Sequence, residues 1–433
     1  MRKLLNLVLL LSLQSFGQTA VDTIGVMHYN ILAYRSSNGN CTNSNNNAAS
    51  KEGYMNTIVS YLQPDIITCN EIAGDGGTAA NRLLTNALNI NGRTYYKQCT
   101  YNGNSNLCNM LYYNSNKFKL YKQDKIERAP NNTFLVRLID VYTLYYTNSS
   151  SLRDGDTTFL VAYVAHLKAG SAASDRTQRE SATEAVMAYH ETNYKEYNYI
   201  MAGDFNIRSG SETSYENLIE YSNSSVRFHD PKNRKASWNS NSNYADLHTQ
   251  STRSSSSNGG CFSTGGLDDR FDFILCGKEI LDNTRGINYI DKSYKAVGND
   301  ALHFNKNIIS PGNTSVPANV LSALYDMSDH LPVYMELGIT RGTAGTNELV
   351  NNPIEFIYSN PVSSMLKFRT SKPGKLRAEI LNTHGQVVWQ SDHLQKLNGW
   401  YNIKTEQIIK GTYILHVMNA NGSSLARKKI IKI

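Results

Sequence analysis

The chain has 433 residues, enough for two or three domains, and its 40% hydrophobic and 18% charged residues are ordinary for a soluble globular protein. No stretch after the first seventeen residues could span a bilayer, which excludes a chain threaded through a membrane by helices. The formal net charge of +7 is uneven: residues 354–433 hold 12 Lys/Arg against 4 Asp/Glu, and residues 18–353 hold 29 against 32, so a bulk basic field that gathers nucleic acid is absent from the body and any grip on phosphate there must be local.

Residues 1–17 read as a secretory signal. Arg2 and Lys3 precede an apolar run from Leu4 to Leu13, and Ser15-Phe16-Gly17 offers small residues at a cleavage point. A first strand is expected over Val21 to Ile31, ending near Asn30. After an Asn/Ser-rich loop, Met55, Ile58, Val59 and Leu62 recur at helical spacing until Pro64. Asp65 to Cys69 is a short buried strand followed by Glu71, and Ala79 to Leu88 a second helix. Asn109 to Leu120 reads as a hairpin and Phe134 to Tyr146 as a strand. Thr157 to Ala165 is an apolar strand closed by His166, and Ser174 to Tyr189 is helical. Tyr197 to Ala202 is a strand followed by Gly203-Asp204-Phe205-Asn206, and Ser211 opens another helix. Arg270 to Leu275 is a strand carrying the acid Asp272. A long irregular stretch, Asp282 to Asp326, precedes Ser328-Asp329-His330 and a last apolar strand. This mixture points to a layered α/β body with largely antiparallel sheets over residues 18–340. Residues 341–353 form a small, polar linker, and residues 354–433 alternate as short strands of a β-sandwich.

The six cysteines suit an exported protein. Cys99 and Cys108 flank the turn-forming Asn102-Gly103 and are expected to pair. Cys41 and Cys261, in polar loops, could pair as well. Cys69 and Cys276 lie in apolar runs and read as buried thiols.

The polar residues that end or open the apolar runs are Asn30, Glu71, His166, Asp204, Asn206, Asp272, Asp329 and His330. Strand ends of a two-sheet body can meet at one rim. Acids gathered there repel unless a cation joins them, and oxygen ligands such as Glu71, Asp204 and Asp329 suit Mg²⁺, Mn²⁺ or Ca²⁺ rather than Zn²⁺. Asp204 and Asn206, two residues apart in extended chain, would face one substrate atom.

These pieces resemble the endonuclease/exonuclease/phosphatase superfamily. HYNI around Asn30, PDIITCNEI around Glu71, AHLKAG around His166, GDFN around Asp204, RFDFIL around Asp272 and SDHLPV around His330 occur in that family's order over about residues 20–340. Two positions depart from it: Asn70 stands where Gln is common, and Leu32 where some members carry an acid. The resemblance implies a four-layer α/β sandwich, two packed mainly antiparallel sheets flanked by helices. It implies that Glu71, with Asp329 or Asn30, holds Mg²⁺ (or Mn²⁺ or Ca²⁺). His330, oriented by Asp272, would be general base on water. His166 would hydrogen-bond the phosphate or protonate the leaving oxygen, while Asp204 and Asn206 would position the nucleophile and the phosphorus centre. Arg137 sits where many members place a phosphate-contacting Arg. From the residues themselves, Lys168, Arg176 and Arg179 could supply a local basic patch next to His166. The expected activity is a secreted, metal-dependent phosphodiester hydrolase acting as a monomer on DNA or RNA. The alternatives are a phosphodiesterase or phosphatase on lipid head groups or other small phosphoesters, and a non-catalytic surface binder.

The last 80 residues resemble the C-terminal sorting domain of the type IX secretion system. Asn360-Pro361-Val362, Ile380 to Gly385, Lys410 to Tyr413 and the end Arg427 to Ile433 carry the likeness. It implies engagement with outer-membrane secretion machinery and passage through the periplasm to the outside.

Overall fold

Apolar runs such as Ile66–Cys69 and Leu160–Ala165 have no solvent face, so strands built from them need cover on both sides. The computed structural model supplies it. It describes residues 20–103, 105–147, 158–194, 197–340, 354–356, 362–370, 375–382, 385–397, 399–420 and 424–433. The expected signal (1–17) and linker (341–353) lie outside the described residues. The chain divides into two units, Met1–Gly342 and Thr343–Ile433.

The strands of the first unit are β1 (Ala20–Tyr34), β2 (Ile66–Ala73), β3 (Tyr96–Gln98), β4 (Leu107–Asn114), β5 (Phe118–Arg128), β6 (Phe134–Tyr146), β7 (Phe159–His166), β8 (Asn198–Asp204), β9 (Phe228–His229), β10 (Asp272–Gly277), β11 (Ile287–Tyr289), β12 (Lys295–Ala296) and β13 (Val333–Thr340). Its α-helices are α1 (Ala48–Leu62), α2 (Thr78–Leu83), α3 (Ala173–Asn193), α4 (Thr213–Ile219), α5 (Lys278–Leu281) and α6 (Ala318–Met327). One sheet has the order β11-β13-β1-β2-β4-β3, with β12 also on β13; the other runs β5-β6-β7-β8-β10-β9. The pairs β1–β2 and β7–β8 are parallel and the remaining pairs antiparallel.

Three apolar layers hold the body together. Ile24, Val26, Met335 and Leu337 of the first sheet pack against Leu160, Ala162, Ile200 and Ile274 of the second. The outer face of the first sheet (Met27, Tyr29, Ile67) meets Met55 and Val59 of α1 and Leu324 of α6. The outer face of the second (Val161, Tyr163, Met201) meets Ala182 and Val186 of α3 and Leu218 of α4. Two mixed sheets flanked by helices are the architecture that the sequence implied. Among the described residues no helix is long and apolar enough to cross a membrane.

Two local expectations fail. Residues 109–120 are not a hairpin: β4 belongs to one sheet and β5 to the other, and the turn between them crosses over. Lys117 pins that crossing by reaching Asp22 at 3.1 Å and Asp65 at 3.0 Å. Cys99 and Cys108 are free thiols. Cys99 packs in the inter-sheet core, whereas Cys108 lies 3.3 Å from the Tyr101 hydroxyl. The disulfide that exists joins Cys41 to Cys261, and Cys69 and Cys276 are buried thiols as expected.

The second unit has two antiparallel four-stranded sheets. One contains Ile354–Phe356, Met365–Thr370, Lys396–Leu397 and Trp400–Lys404, and the other Leu376–Asn382, Val387–Ser391, Gly411–Asn419 and Ser424–Lys432. Alternate residues such as Leu366, Phe368, Ile380, Leu415 and Val417 form its core.

Candidate active site

Strand periodicity sets the site. On β1, Ile24 and Val26 enter the inter-sheet core, and the two-residue alternation carries His28 and Asn30 onto the same face. In the same way Leu160, Ala162 and Val164 lead to His166 on β7, and Ile200 and Ala202 lead to Asp204 on β8. Ile274 and Cys276 share their face with Asp272 on β10. His166 pairs with Asp204 and Asp204 with Asp272, so these three stand in one row across the second sheet. Asn30 pairs with Asn70 on the first. Gly203 permits the close approach of β8 to β7: a Cβ there would sit 2.0 Å from the Ala165 carbonyl oxygen.

Alternation would turn Glu71 away from this row. The pairing of β2 shifts after Cys69, and Glu71 takes φ +65°, which brings its carboxylate to Asn30. Asn206 likewise has φ +53°; its N–H donates to Asp204 Oδ1 at 3.0 Å and its Nδ2 to Leu167 O at 3.2 Å. Such conformations cost roughly 1–3 kcal/mol each and cluster at functional sites. Just before β13, Ser328 Oγ donates to Asn30 O at 2.7 Å and accepts from the His330 N–H at 3.1 Å, tying Asp329 and His330 to β1.

Asn30 Nδ2 lies 3.0 Å from both Glu71 Oε1 and Asp204 Oδ2. His166 Nε2 lies 3.8 Å from Glu71 Oε1 and 3.5 Å from Asp204 Oδ2. His330 Nε2 is 3.7 Å from Asp204 Oδ2, and its Nδ1 is 2.7 Å from Asp272 Oδ2. Burial pushes Asp204 up to about 7, with Asp272 and Glu71 adding to the rise and His330 and Asn30 opposing it. Burial alone would raise Asp272, but the His330 charge and hydrogen bonds from His28 and His330 hold it well below the usual carboxylate range. Burial would lower His330, yet the charges of Asp272 and Asp204 hold it well above the ordinary imidazole value. Burial, then the Arg137 charge, keeps His166 well below it and therefore neutral at pH 7.

Glu71, His166, Asp204, Asn206, Asp329, His330 and Arg137 line one cavity of about 480 Å³, and Asn30 and Asp272 hydrogen-bond to its walls from behind. Arg137 Nη1 donates to Leu167 O at 2.8 Å, which sets its guanidinium on the cavity wall. Two expected substrate contacts are not brought there. Arg179 is 1% exposed and binds Glu212 through Nε at 2.6 Å and Nη2 at 3.0 Å, and Lys168 O and Gly170 O through Nη1. Its spacing on α3 aims it inward, where it shapes the loop after His166. Lys168 pairs with Asp175 at 2.9 Å and is not among the cavity's lining residues.

The donor set fits a hard divalent cation. Glu71 and Asp204 share one amide hydrogen-bond donor, and Asp329 Oδ1 is buried with no partner. Asp204, Asp272 and His330 also offer ligand atoms within 4.8 Å of one another. There, however, the 2.7 Å contact already engages Asp272 Oδ2 and His330 Nδ1, and His28 Nε2 stands 3.5 Å from the otherwise unpartnered Asp272 Oδ1.

Sequence reading missed other members of this polar layer. His28 Nε2 stands 3.5 Å from Asp272 Oδ1. Asn70 accepts from the Asp204 N–H at 2.9 Å and donates to Asn109, which donates to Asp140. His28 and Asn70 interrupt apolar strands, a signal that could have found them. Gln250, whose amide lies 2.7 Å from His330 Nε2, and Ser263, whose N–H donates to Asp329 Oδ2 at 2.8 Å, come from loops without periodicity. The Gln250 amide can meet either ring state, donating to bare Nε2 or accepting from Nε2–H.

Three solved structures are similar to this chain. TDP2 from D. rerio, complexed with a single strand DNA product, is 12% identical with a TM-score of 0.45, over 73% of this chain and 99% of that one. A mannosyl-6-phosphatase from Bacteroides thetaiotaomicron is 14% identical with a TM-score of 0.44, over 72% and 99%. An endonuclease/exonuclease/phosphatase from Beutenbergia cavernae is 14% identical with a TM-score of 0.40, over 94% and 99%. No curated protein matches the chain. Residues 356–432 match the family described as "Secretion system C-terminal sorting domain". The chain therefore ends in a secretion system C-terminal sorting domain, which engages the secretion machinery and directs the protein to the outside of the cell or to its surface.

Proposed function

We propose that the body is a divalent-metal-dependent phosphodiester hydrolase with nucleic acid as substrate. The observation that carries this reading is the convergence of Glu71, His166, Asp204 and the Asp272–His330 pair at one cavity from strands of both sheets. A binding protein has no use for two carboxylates that share a single amide and a histidine locked to a buried acid.

Glu71, with Asn30 or Asp329, would hold Mg²⁺, and Mn²⁺ or Ca²⁺ would suit the same oxygens. Bound, the ion would screen the carboxylates that keep His330 protonated and would polarise the phosphoryl oxygens. Asp272 fixes the His330 ring so that Nε2 faces the cavity, where it accepts a proton from the attacking water. His166, neutral at pH 7, donates a hydrogen bond to the phosphate rather than a proton. Asp204, poised near neutrality, holds or passes a proton beside Asn206. Arg137 draws the phosphate to the wall.

A second reading, hydrolysis of a lipid head group or other small phosphoester, is favoured by a body without basic surplus and by a cavity whose rim is tied by Cys41–Cys261. The body, cut near residue 340, should be offered plasmid DNA, RNA, sphingomyelin and a chromogenic diester with Mg²⁺, beside His330→Ala and Asp204→Ala. Cleavage of DNA or RNA that both variants lose supports the first reading, and cleavage of the small esters alone moves the substrate to the second. Turnover of nothing by the parent body refutes both.

A further inference from the structure

A buried lysine outside the proposed chemistry stands behind the site. Lys51, on α1, is 2% exposed. Its Nζ lies 2.8 Å from Ile31 O, 2.6 Å from Leu32 O and 2.7 Å from Asn46 Oδ1. Asn46 Nδ2 adds hydrogen bonds to Leu32 O at 2.9 Å and Ala33 O at 3.2 Å. Three successive carbonyls at the end of β1 are thus gathered by two side chains. The segment needs such help. Leu32 and Ala33 have φ +43° and +45°, and β1 has no register partner on β2 between Asn30 and Tyr34. Left-handed backbone is unfavourable at residues that carry a Cβ, and here two stand in succession.

What this turn delivers lies on its other side. With the carbonyls drawn to Lys51 and Asn46, the Leu32 N–H donates to Asn30 Oδ1 at 3.0 Å and the Ala33 N–H donates to Glu71 Oε2 at 2.9 Å. Those bonds orient the amide that bridges Glu71 to Asp204 and the carboxylate that the proposed function gives to the metal. The lid over the ammonium is Phe262, whose ring centroid is 5.8 Å from Nζ and which follows the disulfide-bonded Cys261.

We propose that Lys51, assisted by Asn46, is a positioning residue for Glu71 and Asn30: it locks the Ile31–Ala33 turn whose amides hold the Glu71 carboxylate for a divalent cation and turn the Asn30 Nδ2 toward Glu71 and Asp204. This inference rests on the metal-holding role of Glu71. Lys51 touches neither substrate nor ion, so its loss should act through the turn.

The test uses the full chain with Mn²⁺ as probe, followed by electron paramagnetic resonance of the free ion, together with hydrogen exchange of the Leu32 and Ala33 amides. The variants are Lys51→Met, Lys51→Arg, Asn46→Ala and Glu71→Gln, with Arg179→Ala as a control destabilised elsewhere. Lys51→Met should bind Mn²⁺ at least about 10-fold more weakly and exchange those amides faster, Lys51→Arg should recover part of both, and Arg179→Ala should keep wild-type affinity while folded. Should Lys51→Met fail to fold, Asn46→Ala carries the same expectation in milder form. Wild-type Mn²⁺ affinity with protected amides in the folded Lys51→Met or Asn46→Ala chain overturns the proposal. Equal Mn²⁺ binding by wild type and Glu71→Gln overturns the metal role itself, and it is seen before any Lys51 variant is read.

Discussion

His330 Nδ1 lies 2.7 Å from Asp272 Oδ2, and both residues are buried. Replacing Asp272 by Asn keeps the volume but removes the charge that holds the ring in place and in its working tautomer. The expected outcome for Asp272→Asn is a fall in kcat of about 100- to 10,000-fold with little change in KM. Steady-state kinetics on whichever ester the body is found to cleave measure it, and an unchanged kcat would remove Asp272 from the mechanism.

Arg137 and Arg179 should separate function from folding. Arg137→Ala strips a guanidinium from the cavity wall and should raise KM or lower kcat with little loss of thermal stability. Arg179→Ala removes the buried partner of the half-buried Glu212, which keeps only the Ser214 hydroxyl, and should lower stability by about 1–3 kcal/mol. Denaturation curves and kinetics on the two variants should give opposite profiles, and matching profiles would contradict the assignment.

The disulfide makes a chemical prediction. Denatured but unreduced protein should take up an alkylating reagent at Cys69, Cys99, Cys108 and Cys276, and mass spectrometry should find Cys41 and Cys261 joined. Cys41→Ser with Cys261→Ser should cost about 2–5 kcal/mol of stability. It should also raise KM, because Cys41, Cys261 and Ser263 all line the cavity. Recovery of a Cys99–Cys108 peptide would contradict the free state of those two thiols, and alkylation of Cys41 or Cys261 would contradict the pairing.

His190 gives the body an acid-sensitive element away from the site. It is packed on Tyr163, Tyr199 and Phe228, and burial lowers it to about 3. Its folded pKa is depressed below the unfolded value of about 6.5, so the unfolded chain takes the proton first as pH falls. Its contribution is complete above pH 6.5 and is lost progressively between pH 6.5 and 3, about 2 kcal/mol by pH 5. Urea midpoints at pH 8 and pH 5 should show this slope in wild type and a flatter one in His190→Phe; equal slopes would exclude His190 as the cause.

Much of the site was legible because it obeys the strand alternation. Asn30, His166, Asp204 and Asp272 each continue an inward-facing apolar series, so a polar residue at the end of the run was itself the signal. Glu71 breaks that series through its left-handed backbone, and only its place after Cys69 marked it. What escaped reading depends on pairing rather than pattern. Nothing in residues 109–120 tells whether the strands on either side of a short turn share a sheet. Val320, Leu321, Leu324 and Met327 had helical spacing, yet α6 went unread inside a stretch otherwise rich in turns. Arg179 was assigned to substrate from its nearness in sequence to His166, when the α3 face on which it lies is the buried one.

Glu71 and Asn30 belong to one sheet and His166, Asp204 and Asp272 to the other, so neither sheet owns the site. The gap between the halves is set by the side chains that fill the space below, among them the small Ala162 and Ala202 in one cluster with Val26 and Met335. Enlarging either alanine would pry the two ledges apart by part of an ångström and blunt turnover without touching any reacting group. The hydrophobic filling of this sandwich is in that sense the ruler of its chemistry.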